Sequence, residues 1–179
     1  MLLHPFVMVG IMVGVAAGAR QTRGEAAGSV GVVMLFTIAP LAILMWRQVR
    51  RGKWDNVDAS NRGDRPVLYA VGGVALVALL AYLLLLRPES FMMRGVVAIL
   101  AMMAVCAVAT RWIKVSLHMA FATLAATALA LGRSPWGYAL LFALPALLWA
   151  RLALQRHTVP EVALGTCIGA ITAAALHYL

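Results

Sequence analysis

Pro66–Leu86 reads PVLYAVGGVALVALLAYLLLL, 21 residues without a single charge. As a helix, such a run is long enough to cross the hydrocarbon core of a bilayer, about 30 Å at about 1.5 Å per residue. Lipid offers its backbone no hydrogen-bond partner, so a helix is the form it must take. Working outward, Leu2–Ala19 and Gly28–Trp46 precede it; Phe91–Thr110, Val115–Gly132, Trp136–Leu154 and Pro160–Leu176 follow. The chain of 179 residues is 64% hydrophobic and 12% charged, which excludes a soluble domain and leaves little chain outside the spans. The expected fold is all-α, a polytopic membrane helical bundle of six to seven transmembrane helices. It reads as a single domain over 1–179, with N-terminal helices in 1–46 and a motif-bearing core in 47–179.

The first segment ends in Ala16-Ala17-Gly18-Ala19, as a signal peptide does, but it lacks a positive leading region, and an uncleaved helix is expected. Pro40 and Pro145 fall inside helical segments and are expected to kink them. Cys106 and Cys167 sit within apolar segments and read as small buried hydrophobes, not as a disulfide or metal pair. The net charge is +9 and unevenly spread. Connections after the second, fourth and sixth segments carry Arg47, Arg50, Arg51, Lys53, Arg62, Arg65, Arg111, Lys114, Arg151 and Arg156. The opposite connections carry Arg20, Arg23, Arg87, Arg94 and Arg133, so the positive-inside rule favours the cytoplasm for the richer side; arginines recruited to bind phosphate would inflate that count without reporting topology, and both sides stay open. The bilayer is the expected partner of this charge; no nucleic acid is.

Three polar clusters adjoin helix ends: Arg65-Pro66, Lys114-Val115-Ser116-Leu117-His118, and Arg151 with His157 and Glu161. Two spans separate the first from the second, and two more separate the second from the third. An even number returns the chain to the same face, so all three are expected on one side. Pro66 suits the first turn of a helix, Ser116 opens another, and Thr158-Val159-Pro160-Glu161 has the spacing of a capping box. Helix N-termini offer free N–H groups and partial positive charge, so their convergence favours an anion. Glu161, four residues after His157, reads either as a helix cap or as the carboxylate that holds one imidazole nitrogen and leaves the other nucleophilic. His118 is placed to give a proton to a leaving alkoxide. Arg65, Lys114 and Arg151 read either as snorkelling anchors or as a cradle for phosphate.

Together these residues resemble the type 2 phosphatidic acid phosphatase (PAP2) superfamily, whose motifs are K-x6-R-P, P-S-G-H and S-R-x5-H-x3-D. Arg65-Pro66 matches the end of the first, Ser116 and His118 the second, and Arg151, His157 and Glu161 the third with its spacing. The runs Asp58–Pro66 and Trp149–Thr158 also resemble small bacterial members, and the likeness extends over roughly Lys53 to Gly165. The resemblance implies a PAP2-like core in a bacterial cell membrane and a lipid phosphate phosphatase that needs no metal or other cofactor. It implies that His157 attacks phosphorus, that Glu161 orients it, and that His118 protonates the leaving lipid alcohol and later activates water. Arg65, Ser116 and Arg151 would hold the phosphate oxygens, with Lys114 as an addition. The substrate implied is a phosphomonoester or diphosphate of a membrane lipid, of phosphatidate or polyprenyl type.

The sequence departs from the pattern at five places. Asp58 stands where the first motif has lysine, with Arg62 or Lys53 as substitutes; Val115 and Leu117 replace proline and glycine; Ala150 replaces serine; and Glu161 replaces aspartate. Two other readings stand beside this one. A degenerate member would bind a lipid phosphate, or act as a scaffold, without turnover. An intramembrane prenyl- or phosphotransferase would bind Mg²⁺ through Asp55 and Asp58 in a D-x-x-D.

Overall fold

A computed structural model describes residues 4–56, 61–87 and 90–178. All regular structure among them is helical. Helices α1 (Pro5–Gly18), α2 (Arg23–Val33), α3 (Ala39–Arg50), α4 (Arg65–Leu86), α5 (Met92–Ala109), α6 (Leu117–Leu131), α7 (Pro135–Ala153) and α8 (Val159–Tyr178) follow one another. A π-helical turn, Met34–Ile38, joins α2 to α3. Each of the seven apolar segments thus forms a helix over most of its described length. Asp58 lies outside the described residues.

Five helical segments are long and apolar enough to cross a membrane: Arg23–Arg50, Arg62–Leu86, Met92–Ala109, Pro135–Ala153 and Val159–Tyr178. Large apolar side chains face outward on them, with Leu85, Phe142 and Ile171 exposed. In water such faces would be a liability; in lipid they are the solvent-matched surface. By length and composition the chain is an all-α membrane protein. The remaining two, α1 with 14 residues and α6 with 15, reach only about 21 and 22 Å, short of a full span.

The chain divides into two compact units, one from Met1–Val30 with Trp112–Leu179 and one from Gly31–Arg111. In the second, α4 and α5 pack along matched stripes. Leu68, Leu76, Leu79 and Leu83 recur at helical spacing on α4, as do Val96, Ile99, Met103 and Cys106 on α5, and all are buried. Pro40 explains the π-turn: it has no N–H for the carbonyl of Phe36 and its ring would strike that group. The preceding turn widens, and Ala39 N–H bonds back to Met34 O. An apolar groove of about 480 Å³ opens there between Leu35, Phe36 and Pro40 on one side and Val71, Val74 and Ala78 on the other. Pro145 lies within α7, which runs unbroken as a helix through it.

In the first unit α6 is the central helix, with α1, α7 and α8 packed around it. Ten of its fifteen residues are buried. Glycines make the close approach possible. Gly169 of α8 lies against the backbone of Ala120, Gly165 against that of Ser116, and Gly137 of α7 against that of Ala130. α2 starts earlier than its apolar run because Thr22 and Glu25 form a reciprocal capping box. Glu25 Oε2 accepts Thr22 N–H at 2.9 Å, and Glu25 N–H reaches Thr22 Oγ1 at 3.5 Å.

Candidate active site

The third motif is shaped by how α7 ends. Gln155 adopts the left-handed conformation, φ 52. Its N–H bonds to Leu152 O at 2.9 Å and Arg156 N–H to Arg151 O at 3.1 Å, the two bonds of a Schellman motif. His157 N–H also reaches Arg151 O, at 3.3 Å. The turn therefore folds His157 back onto the end of the helix that carries Arg151, which is what the six-residue spacing achieves. Both side chains are buried, Arg151 9% and His157 8% exposed. Because a side chain resists positive φ, Gln155→Gly is expected to stabilise the protein by up to about 1 kcal/mol, read as a raised melting temperature in detergent with phosphate release unchanged.

His157 Nδ1 lies 2.9 Å from Glu161 Oε2. With the carboxylate accepting Nδ1–H, the lone pair is on Nε2, which is the nitrogen left for chemistry. The same oxygen accepts Thr158 N–H at 3.2 Å and stands 3.9 Å from Lys114 Nζ. Capping the helix and holding the histidine, alternatives in the sequence, are performed together by one oxygen.

The second motif is fastened to this turn. Ser116 N–H donates to Glu161 O at 3.2 Å, and Lys114 Nζ donates to Arg156 O at 2.9 Å. Lys114 thus ties its own loop to the turn that presents His157. Ser116 N-caps α6 by position, yet its Oγ, fully buried, has no hydrogen-bond partner among the described residues. A buried hydroxyl left unmade is costly, and a phosphate oxygen is the kind of group it would serve. His118, 7% exposed, opens the first turn of α6. Lys114, Ser116, His118, Arg151, His157 and Glu161 all belong to the first unit, at the start of α6, the end of α7 and the start of α8.

Two features were not read from the sequence. Thr123 Oγ1, also on α6, is buried with no hydrogen-bond partner among the described residues, whereas Thr37, Thr110, Thr166 and Thr172 each donate to the carbonyl one turn back. His4, ahead of α1, packs its ring perpendicular to that of His118, with centroids 5.2 Å apart. No periodicity or motif points to either.

Arg62 and Arg65 belong to the second unit. Arg62 Nε donates to Thr110 O at 2.7 Å, satisfying a carbonyl at the end of α5. Arg65 is buried at the start of α4, one turn ahead of Tyr69. Tyr69 OH and Thr110 Oγ1 are 3.1 Å apart; Thr110 donates its own proton to Cys106 O, so the tyrosine is the donor. Asp55 accepts Asn61 Nδ2–H at 2.7 Å, and Asp58, its partner in the D-x-x-D, is outside the described residues. Among the described residues no group of three or more His, Cys, Asp or Glu side chains is placed to hold a metal ion.

No family model, no curated relative and no solved structure matches the chain. The likeness to PAP2 enzymes is therefore carried by the short motifs alone.

Proposed function

We propose that this protein is a PAP2-type lipid phosphate phosphatase working through a phosphohistidine, with a core of six to seven transmembrane helices in which α1 and α6 also enter the bilayer. The observation that carries the reading is the buried His157 held through Nδ1 by Glu161, on a turn hydrogen-bonded to the Ser116 loop. A histidine that served only as a membrane anchor has no need of a carboxylate partner and a buried position.

In this reading His157 Nε2 attacks the terminal phosphorus and the bond to the leaving oxygen breaks, which belongs to the lipid alkoxide in a monophosphate and to the lipid monophosphate in a diphosphate. His118 supplies the proton that makes the alkoxide an alcohol. Glu161 stabilises the charge that His157 acquires on phosphorylation. Water, deprotonated by His118, then cleaves the N–P bond and releases inorganic phosphate, returning both histidines to their starting states. Arg151 and the Ser116 hydroxyl hold phosphate oxygens throughout. Arg65 enters through its motif position, Arg62 as a substitute for the missing lysine and Lys114 as an addition; Arg65→Ala and Arg151→Ala are both expected to lose activity, and full activity in both would mean that these arginines do not hold the phosphate. The substrate is a lipid phosphate or diphosphate, since a helical membrane site lets a tail stay in the bilayer.

Glu161→Gln separates orientation from nucleophilicity. The amide no longer stabilises a cationic His157, so turnover is expected to fall about 10²-fold without vanishing. Because the cap oxygen remains, the melting temperature should change little. Full activity in that variant, measured as phosphate released from a lipid phosphate in detergent, contradicts the orienting role.

A further inference from the structure

We propose that His4 is a positioning residue for His118, reaching it from the far end of the chain. The inference rests on the reading of His118 as the acid and base of the reaction. His4 stands immediately before Pro5, the first residue of α1, and its Nδ1 accepts the N–H of Phe6 at 3.3 Å. A nitrogen that accepts carries a lone pair, so the cap is made by the ring in its neutral form with the proton on Nε2. Protonating Nδ1 would cost the α1 cap. Its ring is fixed on one side by Phe6, with centroids 4.6 Å apart and planes at 65°. On another it meets His118 at 5.2 Å and 89°.

Two consequences follow for His118. Its ring is confined by a wall that is itself pinned by a backbone bond, which limits rotation away from the orientation that serves a leaving group. The wall is also aromatic and uncharged. Among the described residues, the charged or titratable groups on the segments packed around the start of α6 include Arg151 at the end of α7, Arg156, His157 and Glu161 on the turn into α8 and its start, and Lys114 in the preceding loop. Against that basic company, a ring without a formal charge adds no further cation beside His118. α1, too short to span the bilayer on its own, gains a role in this way: it carries the third imidazole to the site.

Two substitutions divide the functions of His4. Asparagine keeps an acceptor for Phe6 N–H, being a good N-cap, and removes the ring. Phenylalanine keeps a ring and removes the acceptor. His4→Asn is expected to lower kcat about tenfold or more with KM unchanged, as a small misplacement of a catalytic group does, and to shift the limb of the kcat–pH profile that belongs to His118. His4→Phe is expected to retain most of kcat at a lower melting temperature. The opposite pattern, with asparagine fully active and phenylalanine impaired, makes His4 a helix cap only and overturns the proposal. The contact is also read without turnover: with ring-labelled histidine in detergent micelles, a nuclear Overhauser effect between the His4 and His118 rings is expected, and its absence overturns the proposal. Failure of the phosphatase reading appears elsewhere, as wild type that releases no phosphate in a His157-dependent way.

Discussion

His157→Ala is expected to reduce phosphate release by at least about 10³-fold, the scale on which removing a covalent nucleophile acts. The melting temperature in detergent should stay close to that of wild type. The physical ground for the second expectation is that the turn carrying His157 is held by backbone bonds, Arg156 and His157 N–H to Arg151 O, and by the Lys114–Arg156 bond. None of these needs the imidazole. Removing it leaves Glu161 with Thr158 N–H and Lys114 as partners, so no carboxylate is stranded. Wild-type activity in His157→Ala removes the mechanism; loss of activity accompanied by unfolding would instead show a structural histidine. Measuring both quantities on the same purified sample separates the two.

The second large effect lies at the seam of α6 and α8. A Cβ on Gly165 would stand 2.5 Å from Ser116 O, and one on Gly169 would strike Ala120 O. Neither obstacle is the flexible end of a side chain; both are backbone, and backbone can yield only by moving the helix. Gly165→Ala and Gly169→Ala are each expected to destabilise the protein by about 1–3 kcal/mol, as overpacking does, despite alanine's better helix propensity. Gly28→Ala is the control, since nothing lies within 4 Å of the added carbon; there the change is expected to be neutral or stabilising by up to about 1 kcal/mol. The two seam variants should differ in activity. Gly165 presses on the residue whose amide bonds Glu161 and whose hydroxyl faces the proposed phosphate, so phosphate release should fall further than the folded fraction does. Gly169 sits one turn deeper, and its variant should lose activity only in step with folding. Equal melting temperatures in wild type and both variants would mean that the two helices do not meet at these glycines.

The helices were legible because lipid makes apolarity and helicity nearly the same signal: every apolar run forms a helix over most of its described length. Their ends were less so. Arg23–Ala27 reads as a polar connection until Thr22 and Glu25 are paired as a capping box. The π-turn is a response to Pro40 that sequence marks only as a kink. Of the seven apolar segments, five form helices long enough to span and two, α1 and α6, form shorter ones, although apolarity counted them equally. At the site, the spacing of Arg151, His157 and Glu161 carried the His157–Glu161 pair, because a separation of four on a helix start is a local fact. Lys114, read as a phosphate ligand, also fastens the loop to the His157 turn, which depends on two distant segments meeting. His4 was illegible for the same reason: nothing in α1 or α6 says that they are neighbours.

His157 is the proposed nucleophile, and the direct measurement is where the phosphorus goes. The protein in detergent, with EDTA present, is mixed rapidly with a phosphorus-labelled lipid phosphate, drawn in turn from phosphatidate and polyprenyl phosphates, and quenched in alkali. The predicted result is alkali-stable label on the peptide that carries His157, formed and lost at rates that account for phosphate release. Substrate consumed with no label ever on His157, or consumed only once Mg²⁺ is added back, contradicts it.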